Sequence, residues 1–336
     1  MWSRAVAVFL LLQSSSGRIA TGHSAAVDPS SARLTTDLVI GVDQDDVVLG
    51  RIVDVAVDSQ DNIYALDASV EAIHRFSPEG RYLGSFGGHG EGPGEFDAPG
   101  CFAIGMDDRV YVAGFGLNIE VLHTNGIPTD RIKRATTSPA RSIAVDDNGD
   151  IYVVEVDIID QKMIHKYSGQ SHKLVKAFCD TYAVGHDVDT REESIFALGA
   201  VAVENDRVYY VQSYPHKIRT FDLSGVLVQE FDARVDESKA PRRRLGASGV
   251  QYQVPASFSR TIVPLDGDRL LTILGLPFEG SDGTSYLDIY DRSNGARMAS
   301  ITNPGTVDIC CHDRTGRLYS TEVRDDLPVV VRYLLR

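Results

Sequence analysis

The chain has 336 residues, 43% of them hydrophobic, and a formal net charge of −14. That apolar content supports a packed core and excludes a globally disordered chain. So acidic a surface repels phosphate backbones, which excludes nucleic acid as a partner, and it suits cations or basic peptide ends.

Residues 1–26 read as a secretory signal. Arg4 gives a basic start, Ala5 to Leu12 form an apolar run, and Ser24-Ala25-Ala26 offers small residues for cleavage. The run falls well short of the roughly 20 residues that span a bilayer, so no transmembrane segment is expected. A secreted or periplasmic location follows. Residues 27–36 read as a linker, and 37–336 as one domain.

An orphan strand, Asp37 to Val42, precedes the first of six copies of one pattern. In each copy a short apolar strand enters an acidic turn and leaves as a second strand, which in the clearest copies carries an aromatic. The copies run from Val55 to Tyr64, Ile104 to Tyr111, Ile143 to Tyr152, Val201 to Tyr209, Val263 to Leu271 and Cys310 to Tyr319. Such repetition marks one supersecondary unit copied around an axis.

The first unit continues with a third strand, Ala72 to Phe76, a Ser77-Pro78-Glu79-Gly80 turn and a fourth strand, Arg81 to Phe86. Four antiparallel strands per unit are the blade of a β-propeller. The last unit, from Val307, has only three strands before Arg336, so the orphan strand is expected to supply its fourth and leave no open edge. The predicted fold class is all-β: a six-bladed β-propeller of four-stranded antiparallel blades, closed by an N-terminal strand.

The segments Asp54 to Asp58 and Ile73 to Gly80 resemble an NHL-type repeat, and Gly87 to Phe96 resembles the interblade segment of exported bacterial six-bladed propellers. The resemblance spans roughly residues 37–336 at the level of repeat architecture and weakens in the fifth blade. It implies a binding platform, in a family that ranges from protein-binding modules to metal-dependent lyases and lactonases. Fold alone does not choose among them.

In such a propeller one face gathers the interblade loops and the loops between second and third strands. There the chain places Asp67, Glu155, Gln212 and Glu322, with Gly114 and Leu274 at the two remaining equivalent positions. Asp54 and Asp308 head inner strands, and Arg51, Arg141 and Arg260 lie just before theirs. A carboxylate rim suits calcium, with Asp67, Glu155 and Glu322 as candidate ligands, since calcium takes six to eight oxygens. The competing reading has those acids bonding backbone amides in their own blades. The arginines either pair with the acids or grip an anionic ligand with a bidentate fork.

Zinc needs imidazoles converging on the axis. His74, His165 and His216 fall on or beside third strands, away from it, so a zinc lyase is not expected. Strict strand alternation sends Cys310 and Cys311 to opposite faces, where they cannot serve one site. Cys101 remains a disulfide candidate, and no nucleophile elbow is present. Two long interblade insertions, Cys179–Gly199 and Ala233–Ser257, are expected over the loop-rich face. The second carries Arg242-Arg243-Arg244, the basic cluster of an acidic chain.

Two functions remain. One is a non-enzymatic scaffold binding a peptide, protein or glycan, with no cofactor. Its alternative is a calcium-dependent hydrolase or lyase using the carboxylate rim.

Overall fold

The computed structural model describes residues 32–42, 46–155, 161–180, 198–213, 216–233, 242–246, 249–253, 261–274, 285–303 and 307–336. The residues read as a signal and half of those read as a linker therefore lie outside the described residues, as do Arg260 and most of the first insertion.

Six four-stranded antiparallel sheets form a ring. Their innermost strands are Ile52–Val57, Pro99–Ile104, Ser142–Val145, Gly199–Glu204, Ile262–Leu265 and Asp308–His312. Each packs on the next, and Asp308–His312 packs back on Ile52–Val57. The sixth sheet is completed by Leu34–Ile40, hydrogen-bonded antiparallel to the nine-residue C-terminal strand Leu327–Leu335. The closing strand begins three residues before Asp37 because its long partner offers ladder positions as far as Leu335, opposite Leu34.

The acidic turn of the repeat is a hydrogen-bonding device. Asp58 Oδ1 accepts the backbone amides of Gln60 and Asn62, both at 2.9 Å. Asp146 does the same for Asn148 and Asp150, and Asp313 for Thr315 and Arg317. A short carboxylate satisfying amides two and four residues on fixes a tight reversal between first and second strands.

The core lies between blades. Among the described residues the buried apolar side chains divide into six clusters, one at each junction of neighbouring blades. A turn glycine sets how closely some blades approach. Gly225, at φ 77°, closes the turn before the outer strand of blade four, and a Cβ there would lie 2.7 Å from the Phe178 ring of blade three. Positive φ and the approaching ring both demand glycine.

The second insertion is not wholly irregular: Arg242–Gly246 and Gly249–Gln253 pair as an antiparallel hairpin, with Arg242 opposite Gln253. Among the described residues no helix is long and apolar enough to cross a membrane.

Candidate functional site

The six innermost strands enclose an axial cavity of about 680 Å³. Along an inner strand successive side chains turn to alternate blade junctions, Ala200 and Ala202 toward blade five and Val201 and Val203 toward blade three, so that consecutive residues of the strand all border the cavity. The mouth at the strand starts is the polar end, lined by Arg51, Arg141, Ser142, Ser213, Thr261 and the ring of Phe115. Arg51 and Arg141 are exposed, and Phe115 is 59% exposed. The Arg141 guanidinium lies 5.8 Å from the Phe115 ring centroid, a cation–π contact. Arg51 makes no ion pair among the described residues; its backbone amide donates to Ser69 Oγ at 2.9 Å.

Just below sit Asp54 and Asp308. Asp54 Oδ1 accepts the Val55 amide at 2.9 Å, and Oδ2 reaches into blade two for the Phe102 amide at 3.0 Å. Burial pushes the Asp54 carboxyl up to about 7; the two amides oppose the shift and the charge of Asp308 adds to it. The Thr261 hydroxyl donates to the Ile309 carbonyl at 2.6 Å and lies 3.1 Å from Asp308 Oδ1. Ser142 Oγ accepts the Val201 amide at 3.1 Å. Polar residues at strand starts thus stitch one blade to the next around the mouth.

The other acidic candidates are engaged within or between blades. Asp67, wholly buried, accepts the Gly50 amide at 2.6 Å and the Ser69 amide at 2.8 Å, and His74 Nε2 lies 3.3 Å from Oδ2. Glu155, also wholly buried, pairs with Arg134 and accepts the Tyr167 hydroxyl at 2.9 Å; His165 Nδ1 lies 3.6 Å away. In blade four Gln212 stands at the position of the acid and Arg219 at that of the histidine, both buried. Glu322 accepts from Ser320 at 2.6 Å, Tyr333 at 2.5 Å and Arg324 at 3.0 Å. The structure does not bring Asp67, Glu155 and Glu322 together. Among the described residues no three His, Cys, Asp or Glu side chains are grouped so as to hold a metal ion. His74 and His165 lie beside the strand-end acids Asp67 and Glu155 inside their own blades.

Sequence reasoning missed Arg134 and Phe115. Arg134 is buried and donates to the Gly114 carbonyl at 3.2 Å and that of Ser138 at 2.7 Å, besides pairing with Glu155. Its signal was an arginine directly after the outer strand Pro128–Lys133, where the chain turns inward. Phe115 follows a strand end and carries no motif.

The two adjacent cysteines depart from simple alternation. The ladder between Asp308–His312 and Leu318–Arg324 pairs Ile309 with Ser320 and Cys311 with Tyr319, so Cys310 is an extra residue in a β-bulge. Ile309 faces the junction of blades five and six, whereas Cys310 and Cys311 both pack at the junction of blades six and one. Both also line the cavity. The expectation that they face apart is thereby corrected.

No protein-family model matches the chain, and no curated protein does. Solved structures do. "Streptogramin B lyase structure" matches at TM-score 0.56 and 10% identity, over 91% of this chain and 98% of that one. "Structure of U3-55K" matches at 0.54 and 12%, over 81% and 76%. The Cps50 (Swd1) β-propeller domain of Myceliophteria thermophila matches at 0.52 and 8%, over 90% and 99%. At such identities the likeness is one of fold alone.

Proposed function

We propose that this chain is an exported, NHL-type binding propeller that takes a peptide or glycan ligand at the mouth of its axial cavity. The ligand presents an anionic group to Arg51 and Arg141, and a flat or apolar portion rests on Phe115. A hydroxyl or amine of the ligand points down toward Asp54 and Asp308. The observation that carries this reading is Arg51: an exposed guanidinium on the rim of the cavity, without an acidic partner among the described residues, in a chain of net charge −14. Guanidinium is the side chain best shaped for a carboxylate or sulfate, which it binds by two parallel hydrogen bonds.

An array of acidic, neutral and basic peptides, with uronate-bearing and neutral glycans beside them, tests the proposal. Ligands retained by the native chain should be enriched in anionic members. They should be lost from an Arg51→Ala/Arg141→Ala variant, whose changes are exposed and spare the core. Retention dominated by basic ligands, or untouched by the double substitution, would sink it.

A further inference from the structure

Cys310 and Cys311 are adjacent in sequence, and in a regular strand they would be separated by the sheet. The bulge at Cys310 cancels that separation. Ile309 goes to the junction of blades five and six, while both cysteine side chains go to the junction of blades six and one. Both are half-buried free thiols on the wall of the axial cavity. The Cys310 thiol points back to the Asp308 carbonyl at 3.4 Å. The ring of blades closes at this seam, and the cavity offers a small molecule a route to it.

We propose that Cys310 and Cys311 form a redox-active vicinal dithiol, which closes to a disulfide by exchange with a small organic disulfide entering the cavity. One protein thiolate attacks a sulfur of the oxidant, forming a mixed disulfide and releasing one small thiol. The neighbouring protein thiol, giving up its proton, then attacks the protein sulfur of that mixed disulfide and releases the second small thiol. Two protein thiols are oxidised, one external disulfide is reduced, and the two protons leave on the two small thiols.

Acidic side chains bear on both thiols. Asp54 and Asp308 face Cys310, and Asp54 and Asp313 face Cys311. Burial and the same carboxylates hold both thiols well above the ordinary thiol range, so exchange is slow, because the thiolate is the attacking species.

The test uses the folded full chain equilibrated with oxidised glutathione, trapped with an alkylating agent and cut with trypsin. Cleavage after Arg297 and Arg314 isolates both sulfurs in one peptide, apart from Cys101 and Cys179. The expected product is the 298–314 peptide lacking two hydrogens and refusing alkylation, restored to a doubly alkylated form by dithiothreitol. In a Cys310→Ser chain the reaction should stop at a glutathione adduct on Cys311. The proposal is overturned if the folded chain stays a fully alkylatable dithiol, or if closure occurs only in urea. A cross-link to Cys101 or Cys179, or a glutathione adduct on the unaltered chain that never resolves, overturns it too.

Discussion

The Tyr319 hydroxyl donates to Asp313 Oδ2 at 2.9 Å across the reversal between the first two strands of blade six. Tyr64 and Asp58 repeat the contact at 2.9 Å in blade one, and Tyr152 and Asp146 at 3.0 Å in blade three. Each of these carboxylates therefore holds its turn with one oxygen and the following strand with the other. In all three copies the aspartate stands six residues before the tyrosine.

Tyr152→Phe is expected to remove one buried hydrogen bond without opening a cavity, at about 1–2 kcal/mol of stability. Asp146→Ala should cost more, since it also strips acceptors from the amides of Asn148 and Asp150. Urea denaturation of both variants decides the order. Equal losses would show that the turn amides find other acceptors.

The pair formed by Arg134 and Glu155 gives a second ordering. Glu155→Gln leaves a buried guanidinium short of its counter-charge, and breaking such a pair costs about 3–5 kcal/mol. Arg134→Met leaves the carboxylate buried and also deprives the carbonyls of Gly114, Gly116 and Ser138 of their donor. The arginine variant should therefore be the less stable of the two in the same denaturation experiment.

Much of the fold was legible because the repeat carries its own hydrogen bonds. Asp58 and Tyr64 lie six residues apart, so the contact that shapes the blade sits inside a window a reader can see. Ring closure was legible by counting strands: three at the C-terminus and one orphan at the start. The site was not legible in the same way. Asp54 and Asp67 are both acids near strand ends, yet one lines the cavity and the other is sealed against Gly50 and Ser69. What separates them is the register of a bulged strand pair, Ile52 with Asp67 and Asp54 with Leu66, which residue type does not encode. The bulge at Cys310 was hidden for the same reason. Glu155 finds its partner across a blade junction, beyond the reach of any local pattern.

Chelation is expected to leave the melt unmoved. The oxygens of Asp67, Glu155 and Glu322 accept hydrogen bonds from protein donors, so an ion at any of them would have to displace bonds already made. A thermal melt with and without EDTA checks this. A bound ion would stabilise by mass action, and a fall in Tm on chelation would restore the calcium reading.

Gly225 tests the approach of blades three and four. Alanine there must adopt φ near 77° and place its Cβ 2.7 Å from the Phe178 ring. Strain and overpacking together should cost about 2–4 kcal/mol. Phe178→Leu in the same chain should recover part of the loss, because it clears the ring and leaves only the backbone strain. No recovery would assign the whole cost to φ.

Asp54 gives the pH prediction. Burial first, and then the charge of Asp308, raise its carboxyl from 3.8 to about 7 in the folded chain. Between those values the folded state holds a proton that the unfolded state has released. The stability tied to this group is therefore present below about pH 4 and is lost as pH rises toward 7. Asp54→Asn removes the titration, though it also weakens one of the two amide contacts to Val55 and Phe102. The variant should be less stable than the native chain near pH 5, and the gap should narrow or reverse by pH 8. Denaturation curves at the two pH values read the difference directly. A gap independent of pH would mean that Asp54 is already ionised in the fold.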